Sequence, residues 1–133
     1  MDQDNVDVAR RVYDALENDD VQGLLSLCSD NIEWRYPAEG LLSYGGLWTG
    51  PDATIRFLDA HDAAEDILEF RVDDLVAGAD RVLGLGFFRG RAKDSGTIWQ
   101  TRFVHDLTIR AGKLVVFEAY FDSAAAVAAH RRT

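Results

Sequence analysis

One of the three histidines, His105, lies in the middle of an otherwise apolar strand pattern, where an imidazole could move protons near neutral pH. The residues from 99 to 109 alternate between apolar and polar types, which predicts a half-buried β-strand. If the apolar face borders a cavity, His105 is the main candidate for catalysis. If the face borders a filled core, His105 is an ordinary buried histidine. Because side chains repeat every second residue, this face comprises Trp99, Thr101, Phe103, His105, Leu107 and Ile109.

Two further predicted strands carry aromatic residues that would enclose the same space. One contains Trp34 and Tyr36 on one face, and the last strand contains Phe117, Ala119 and Phe121. A tyrosine such as Tyr36 or Tyr13 could donate a hydrogen bond to a developing oxyanion. We therefore take His105 and Tyr36 as the candidate catalytic residues. The candidate ligand-binding residues are Tyr13, Trp34, Trp48, Phe57, Trp99, Phe103, Phe117, Ala119 and Phe121.

The other face of the last strand carries Glu118, Tyr120 and Asp122. A register shift of one residue would exchange the two faces and place Glu118 and Asp122 inside. Asp122 also precedes an alanine-rich segment, and this position favours a helix-capping role. On the third predicted helix, His61 lies among acidic residues, which predicts a solvated polar face.

The order of predicted elements is helix, helix, strand, helix, four strands and a short C-terminal helix, within one domain of residues 1–133. Strands grouped after helices predict an α+β fold with a curved antiparallel sheet wrapped around the helices. Gly84, Gly86 and Gly90 fall within one strand and indicate strong curvature or close backbone approach. The long connection 37–50 is interpreted either as a lid or rim over the structure, or as an edge hairpin.

Composition narrows the classes of function. The 133 residues carry a formal net charge of −9, which argues against recognition of nucleic acid phosphates. The lone Cys28 excludes an intramolecular disulfide and indicates a reducing compartment. The sequence shows neither a secretory signal nor an apolar run of about 20 residues that would span a membrane, so we expect a cytoplasmic protein. The histidines share no metal-ligand spacing, and we expect neither a metal nor a cofactor.

Three stretches resemble the SnoaL-like proteins, the polyketide-cyclase branch of the superfamily that includes nuclear transport factor 2 and ketosteroid isomerases. They are Leu24-Leu-Ser-Leu27 with Asp30-Asn-Ile-Glu-Trp34, Trp48-Thr-Gly-Pro-Asp-Ala53, and Phe103-Val-His105 with the segment 112–122. The resemblance implies a cone-shaped, cystatin-like α+β barrel with a hydrophobic ligand pocket on its concave side. Related epoxide hydrolases carry an aspartate where this chain has Ala119, and that difference argues against epoxide opening.

The resemblance also implies that the outer sheet face often pairs with a second subunit. Here Leu83, Leu85 and Phe87 form an apolar outward face, which indicates a homodimer. The first hypothesis is a small cofactor-free isomerase, cyclase or dehydratase that moves a proton on a hydrophobic small molecule, with His105 as the proton carrier. The alternative is a non-catalytic domain of the same fold that binds a small molecule or dimerises.

Overall fold

The computed structural model describes residues 2–131, which form four helices and six strands. Helices α1 and α2 precede the first strand, α3 separates β2 from β3, and α4 follows the last strand. The helices are α1 (Asp2–Glu17), α2 (Val21–Leu27), α3 (Pro51–Ala64) and α4 (Ser123–His130). The strands are β1 (Cys28–Tyr36), β2 (Gly46–Thr49), β3 (Glu65–Gly78), β4 (Arg81–Ala92), β5 (Ile98–Arg110) and β6 (Lys113–Phe121).

The six strands form one sheet in the order β2-β1-β6-β5-β4-β3. The last four strands make an antiparallel meander in chain order. The α+β class and the order of helices before the meander confirm the fold predicted from the sequence. The predicted inward faces are also correct: Trp99, Phe103 and His105 on β5 are buried, while Glu118 and Tyr120 on β6 lie on the opposite face from buried Phe117.

The sheet differs from the prediction at its β1 end. Strand β1 pairs with β6 in parallel, whereas a wholly antiparallel sheet was expected. The two strands are distant in sequence, so no hairpin turn forces them to run in opposite directions. The connection 37–50 contains β2, which pairs antiparallel with β1 as an edge strand. The hairpin interpretation of this connection therefore fits the structure, and β2 was not assigned as a strand because it is only four residues long.

The helices pack on the concave side of the sheet. On α1, the buried residues Val8, Ala9 and Val12 recur at helical spacing and face the sheet. Trp34 of β1 is completely buried, and its Nε1 donates a hydrogen bond of 2.8 Å to Oγ1 of Thr54 on α3. Two side-chain caps set helix starts: Asp20 accepts from the backbone N–H of Gly23, and Asp122 from that of Ala125. The capping role predicted for Asp122 is therefore confirmed.

The glycines of β4 allow side chains of the core to approach its backbone. A Cβ atom at Gly84 would overlap the hydroxyl of Tyr13, which comes from α1. A Cβ atom at Gly90 would lie 2.7 Å from the ring of Phe88 and 3.0 Å from Oε2 of Glu65. Glycine is thus required at these two positions because core side chains lie too close to the β4 backbone to leave room for a Cβ atom. Two of the residues admitted in this way, Tyr13 and Glu65, belong to the polar groups described next.

Candidate functional site

The helices do not fill the concave side of the sheet completely, and a cavity of about 840 Å³ remains. Its walls come from the ends of α1 and α2, from α3, and from the concave faces of β1, β3, β4, β5 and β6. Most of its inner wall is aromatic. Eight of the sequence-predicted residues line it: Trp34, Tyr36, Phe57, Trp99, Phe103, His105, Phe117 and Phe121.

His105 lies in this wall and is hydrogen-bonded to Tyr13. The distance from Tyr13 Oη to His105 Nδ1 is 3.0 Å. Burial lowers the pKa of His105 to about 3, with a smaller contribution from nearby His61, so the ring is neutral at neutral pH. Burial likewise raises the pKa of Tyr13, so the phenol keeps its proton. Among the described residues the Tyr13 hydroxyl has no other hydrogen-bonding partner, so we assign it as the donor to Nδ1, which leaves the ring proton of His105 on Nε2.

The Nε2 atom of His105 has no hydrogen-bonding partner among the described residues. Within residues 2–131, the side-chain polar atom that is both completely buried and without a hydrogen-bonding partner is Ser29 Oγ. Because His105 Nε2 also has no partner, it is not completely buried, and the space that it borders is the cavity. The ring stacks on Phe103 with a centroid separation of 4.1 Å and packs at 4.6 Å from Phe117. The contacts fix the ring plane, and the Tyr13 bond fixes which nitrogen is available to a ligand.

Tyr36 supplies a second polar group on the same wall. Its ring stacks parallel to Phe117 at 6.3 Å, so Phe117 has the rings of Tyr36 and His105 as neighbours. Burial raises the pKa of Tyr36, which keeps the phenol protonated. The hydroxyl has no protein hydrogen-bonding partner in the described part of the chain and is not sealed. Tyr36 and His105 are thus two hydrogen-bond donors available to a ligand.

A buried carboxylate, Glu65, lines the cavity at the start of β3. Its side chain is fully buried and accepts hydrogen bonds from three side chains on separate segments. Tyr44 donates to Oε1 at 3.0 Å, and Trp99 Nε1 lies 3.1 and 3.2 Å from Oε1 and Oε2. His130 Nε2 lies 2.5 Å from Oε1. Oε1 is therefore surrounded by donors, whereas Oε2 keeps capacity for a further partner.

His130 connects Glu65 to the protein surface. Its Nδ1 lies 3.1 Å from Oδ1 of Asp94, which is exposed in the turn between β4 and β5. Both ring nitrogens thus face carboxylate oxygens. A chain of polar contacts runs from Asp94 through His130 on α4 to Glu65 in the cavity.

His61 was predicted to lie on a solvated face, and the structure shows that this was wrong. The side chain lines the cavity, and its ring packs 4.6 Å from that of Tyr44. Burial lowers the pKa of His61, opposed in part by the nearby carboxylates of Glu65 and Asp62. Neighbouring acidic residues in the sequence indicated a polar face, but α3 turns this histidine toward the sheet rather than toward water.

Three of the predicted site residues do not line the cavity. Tyr13 is hydrogen-bonded to His105 but is not itself among the lining residues. Trp48 is half-buried on β2, where its Nε1 donates to the carbonyl of Tyr44 at 3.2 Å. Ala119 is buried opposite His105 in the β5–β6 pair and leaves room for the neighbouring rings.

Sequence reasoning missed Glu65, Tyr44 and His130, because these residues lie at the ends of elements or in a connection. No periodicity distinguishes a buried carboxylate at the first position of a strand from an exposed one. One usable signal was the weak helix propensity after Ala64, and another was the presence of three aromatic or histidine donors elsewhere in the chain. The proximity of these donors to Glu65, however, depends on the tertiary fold.

Other candidate chemistry receives no support within residues 2–131. No cluster of three or more His, Cys, Asp or Glu side chains in this range has an arrangement that could hold a metal ion. Burial raises the pKa of the Cys28 thiol to about 12, so it stays protonated and unreactive. Over the same range, every helix is too short or too polar to cross a membrane.

Comparisons with known proteins agree with this architecture. An NTF2-like protein from Burkholderia xenovorans is 27% identical, with a TM-score of 0.91 and coverage of 98% of both chains. TerC, co-crystallised with polyporic acid, is 25% identical, with a TM-score of 0.85 over 96% of this chain and 98% of TerC. A protein with a cystatin-like fold from Xanthomonas campestris is 24% identical, with a TM-score of 0.81 over 99% of this chain and 100% of that chain.

The search among curated proteins found no match. A model of the SnoaL-like domain matches residues 9–117, which include the second half of α1, all of α2, and all of the cavity strands except the end of β6. The match extends over most of the chain and agrees with the solved structures in fold. The chain therefore belongs to the family of SnoaL-like domains.

Proposed function

We propose that this chain is a small enzyme of the isomerase, cyclase or dehydratase kind that transfers a proton on a hydrophobic, ring-bearing molecule in the cavity. The proposal rests on one observation. Two unpartnered donors, His105 Nε2 and the Tyr36 hydroxyl, line the same aromatic cavity as the buried carboxylate of Glu65. Donors that can stabilise an oxyanion and a group that can accept a proton are the two requirements of enolisation.

His105 acts in this proposal as a hydrogen-bond donor. The sequence-based hypothesis made the imidazole the proton carrier, but a ring whose pKa lies at about 3 is a weak base at neutral pH. A neutral imidazole can still polarise a carbonyl through Nε2–H, and Tyr36 supplies a second donor in the same cavity. The Tyr13 bond keeps the proton on Nε2, so Tyr13 is a positioning residue.

Glu65 is the proposed general base. Oε2 removes a proton from the carbon next to a substrate carbonyl, and the electron pair of that C–H bond moves to the carbonyl oxygen. The enolate oxygen then accepts hydrogen bonds from His105 and Tyr36, and Glu65 returns the proton to the same or another carbon of the ligand. Trp34, Phe57, Trp99, Phe103 and Phe121 position the ring system between these groups. This step balances without a cofactor.

The relatives support the ligand class. TerC, which shares 25% of its residues with this chain, was crystallised with a small molecule, polyporic acid. The cavity volume of about 840 Å³ lies within the usual range for small-molecule sites, and its mainly aromatic wall with a few polar groups is typical of them.

The experiment is hydrogen–deuterium exchange of β-tetralone, a neutral bicyclic ketone, in D₂O followed by proton NMR. The wild-type protein is expected to accelerate exchange next to the carbonyl by at least about tenfold over buffer. Glu65→Gln and His105→Phe are expected to lose this acceleration. Glu69→Gln, an exposed carboxylate on the same strand, and Tyr120→Phe on the outer face serve as matched controls and keep it.

The alternative function, ligand binding without chemistry, gives a different result in the same experiment. If β-tetralone perturbs protein resonances but exchanges no faster than in buffer, the binding domain is the better account. Acceleration that persists in both Glu65→Gln and His105→Phe would contradict the assignment of these residues.

We also propose that two copies pair through the outer sheet face, in the cytoplasmic setting expected from the sequence. Half-buried Leu83 and Leu85 on β4 adjoin Val104 on β5, and Tyr120 beyond them is 52% exposed. Light scattering is expected to give a dimer mass for the wild type and a monomer mass for Leu85→Lys. A monomeric wild type at high concentration would contradict the pairing.

A further inference from the structure

The charges around the cavity all have one sign. Among its lining residues are Glu65 and six carboxylates near the entrance, whereas no Lys or Arg of the described residues lines it. We refer to these six residues as the acidic rim: Glu17, Asp19, Asp20, Asp59, Asp62 and Asp66.

Among the described residues, one rim carboxylate is paired with a cation. Asp66 lies 3.7 Å from Lys93, whose Nζ also donates to the backbone carbonyl of Asp62 at 2.7 Å, and Asp20 caps α2. The carboxylates of Glu17, Asp59 and Asp62 form no ion pair with a described residue. His61 and His105 add no opposing charge from inside, because burial lowers the pKa of both rings.

An independent observation supports a ligand site inside the cavity. His105 is only 6% exposed, and its Nε2 points to no protein acceptor in the described chain although it borders the open space. A buried donor without a partner costs free energy unless a ligand or water satisfies it. The cavity is therefore more than an acidic surface patch, and it has a polar anchor at depth beneath the rim.

We infer that the cavity selects aromatic ligands that carry a protonated amine over neutral or anionic ones of the same shape. A cleft whose charges share one sign concentrates ligands of the opposite charge, since low-dielectric walls focus the field. The many aromatic faces inside favour a cation as well, because their quadrupoles attract it. The inference rests on the proposed function, which places an aromatic molecule in the cavity, and it adds the charge of that molecule.

Calorimetric titration at neutral pH and low salt tests the inference with three probes that share a naphthylmethyl skeleton. They are the cationic naphthylmethylamine, the neutral naphthylmethanol and the anion of naphthylacetic acid. The amine is expected to bind at least about tenfold more tightly than the acid, with the alcohol between them. Added salt is expected to reduce the difference in affinity between the amine and the acid. In the double variant Asp59→Asn with Asp62→Asn, the advantage of the amine is expected to fall about threefold.

The control removes two carboxylates that do not line the cavity: Asp52→Asn with Asp74→Asn has the same net charge change and is expected to keep the preference. Three outcomes would overturn the inference while the proposed function stands. They are equal affinities for the three probes, tighter binding of the acid, and a preference for the amine that survives loss of Asp59 and Asp62. If none of the three probes binds at millimolar concentration, the proposed function fails with it.

Discussion

The hydroxyl of Tyr13 on α1 lies 3.0 Å from Nδ1 of His105 on β5, although 92 residues separate them in the chain. Both groups are buried, and Gly84 on β4 makes room for the hydroxyl. The bond therefore ties the first helix to the middle of the sheet and decides which nitrogen of His105 faces the cavity. The proposed function depends on this pair because the donor at Nε2 exists only in one tautomer.

Replacement of Tyr13 by Phe is expected to lower the free energy of unfolding by about 1–3 kcal/mol, because it leaves a buried imidazole nitrogen without a partner. Urea denaturation measures this change. Tyr120→Phe on the exposed outer face is the control and is expected to change stability by less than about 0.5 kcal/mol. Equal effects of the two substitutions would show that the Tyr13 bond contributes nothing specific.

Substitution of Gly84 by Ala is expected to displace the Tyr13 ring and destabilise the fold by about 1–3 kcal/mol, since the added methyl overlaps the phenol. Gly78→Ala is a matched control near the end of β3, because a Cβ atom there meets nothing within 4 Å. Thermal unfolding of both variants checks the prediction. A Gly84→Ala protein as stable as Gly78→Ala would mean that Tyr13 does not approach β4 this closely.

Stability is expected to depend on pH through His105. Its pKa is about 3 in the folded protein and 6.5 when unperturbed, so between these values the unfolded chain binds more protons. The neutral ring contributes its full share to the free energy of unfolding above the unperturbed pKa. This contribution is lost as the pH falls toward the pKa of the folded protein. The expected slope from this group is about 1.4 kcal/mol per pH unit near pH 5.

The double variant Tyr13→Phe with His105→Phe isolates that slope, because it removes the titrating ring and its partner together. Urea denaturation of wild type and variant between about pH 4.5 and 6 is expected to show a smaller slope in the variant. Identical slopes would mean that His105 takes up no proton on unfolding.

The buried carboxylate is expected to matter for stability as well. Glu65→Gln replaces one acceptor oxygen by an amide NH₂ group that faces the N–H of Trp99. Because donors around the side chain are then unsatisfied, the free energy of unfolding is expected to fall by about 2 kcal/mol. Glu69→Gln, where an exposed carboxylate pairs with Arg71, is expected to cost less than about 1 kcal/mol. If both substitutions cost the same, the donors around Glu65 do not depend on its charge.

The strand faces could be predicted from the sequence because they follow from local alternation. Trp34 and Tyr36, Trp99 to His105, and Phe117 with Phe121 all follow period two, and these residues form the part of the cavity wall that comes from β1, β5 and β6. The parallel pairing of β1 with β6 could not be predicted, since it depends on contacts between distant segments.

The polar part of the site was harder to predict for the same reason. Glu65 and His130 lie 65 residues apart, and each alone looks like an ordinary surface residue at the end of an element. Tyr13 was selected for its residue type, but its partner is His105 rather than a ligand, because α1 packs against the concave face of the sheet and brings the Tyr13 hydroxyl to β5. Pairing of this kind is set by tertiary packing and has no local signature.

Histidine-selective nitrogen NMR of His105 tests the central claim most directly. At neutral pH we predict a neutral ring protonated on Nε2, with a resonance that does not titrate between about pH 5 and 8 and that shifts when β-tetralone is added. A ring protonated on Nδ1 or on both nitrogens, or an Nε2 resonance unchanged by the ketone, would contradict the proposed donor at the cavity wall.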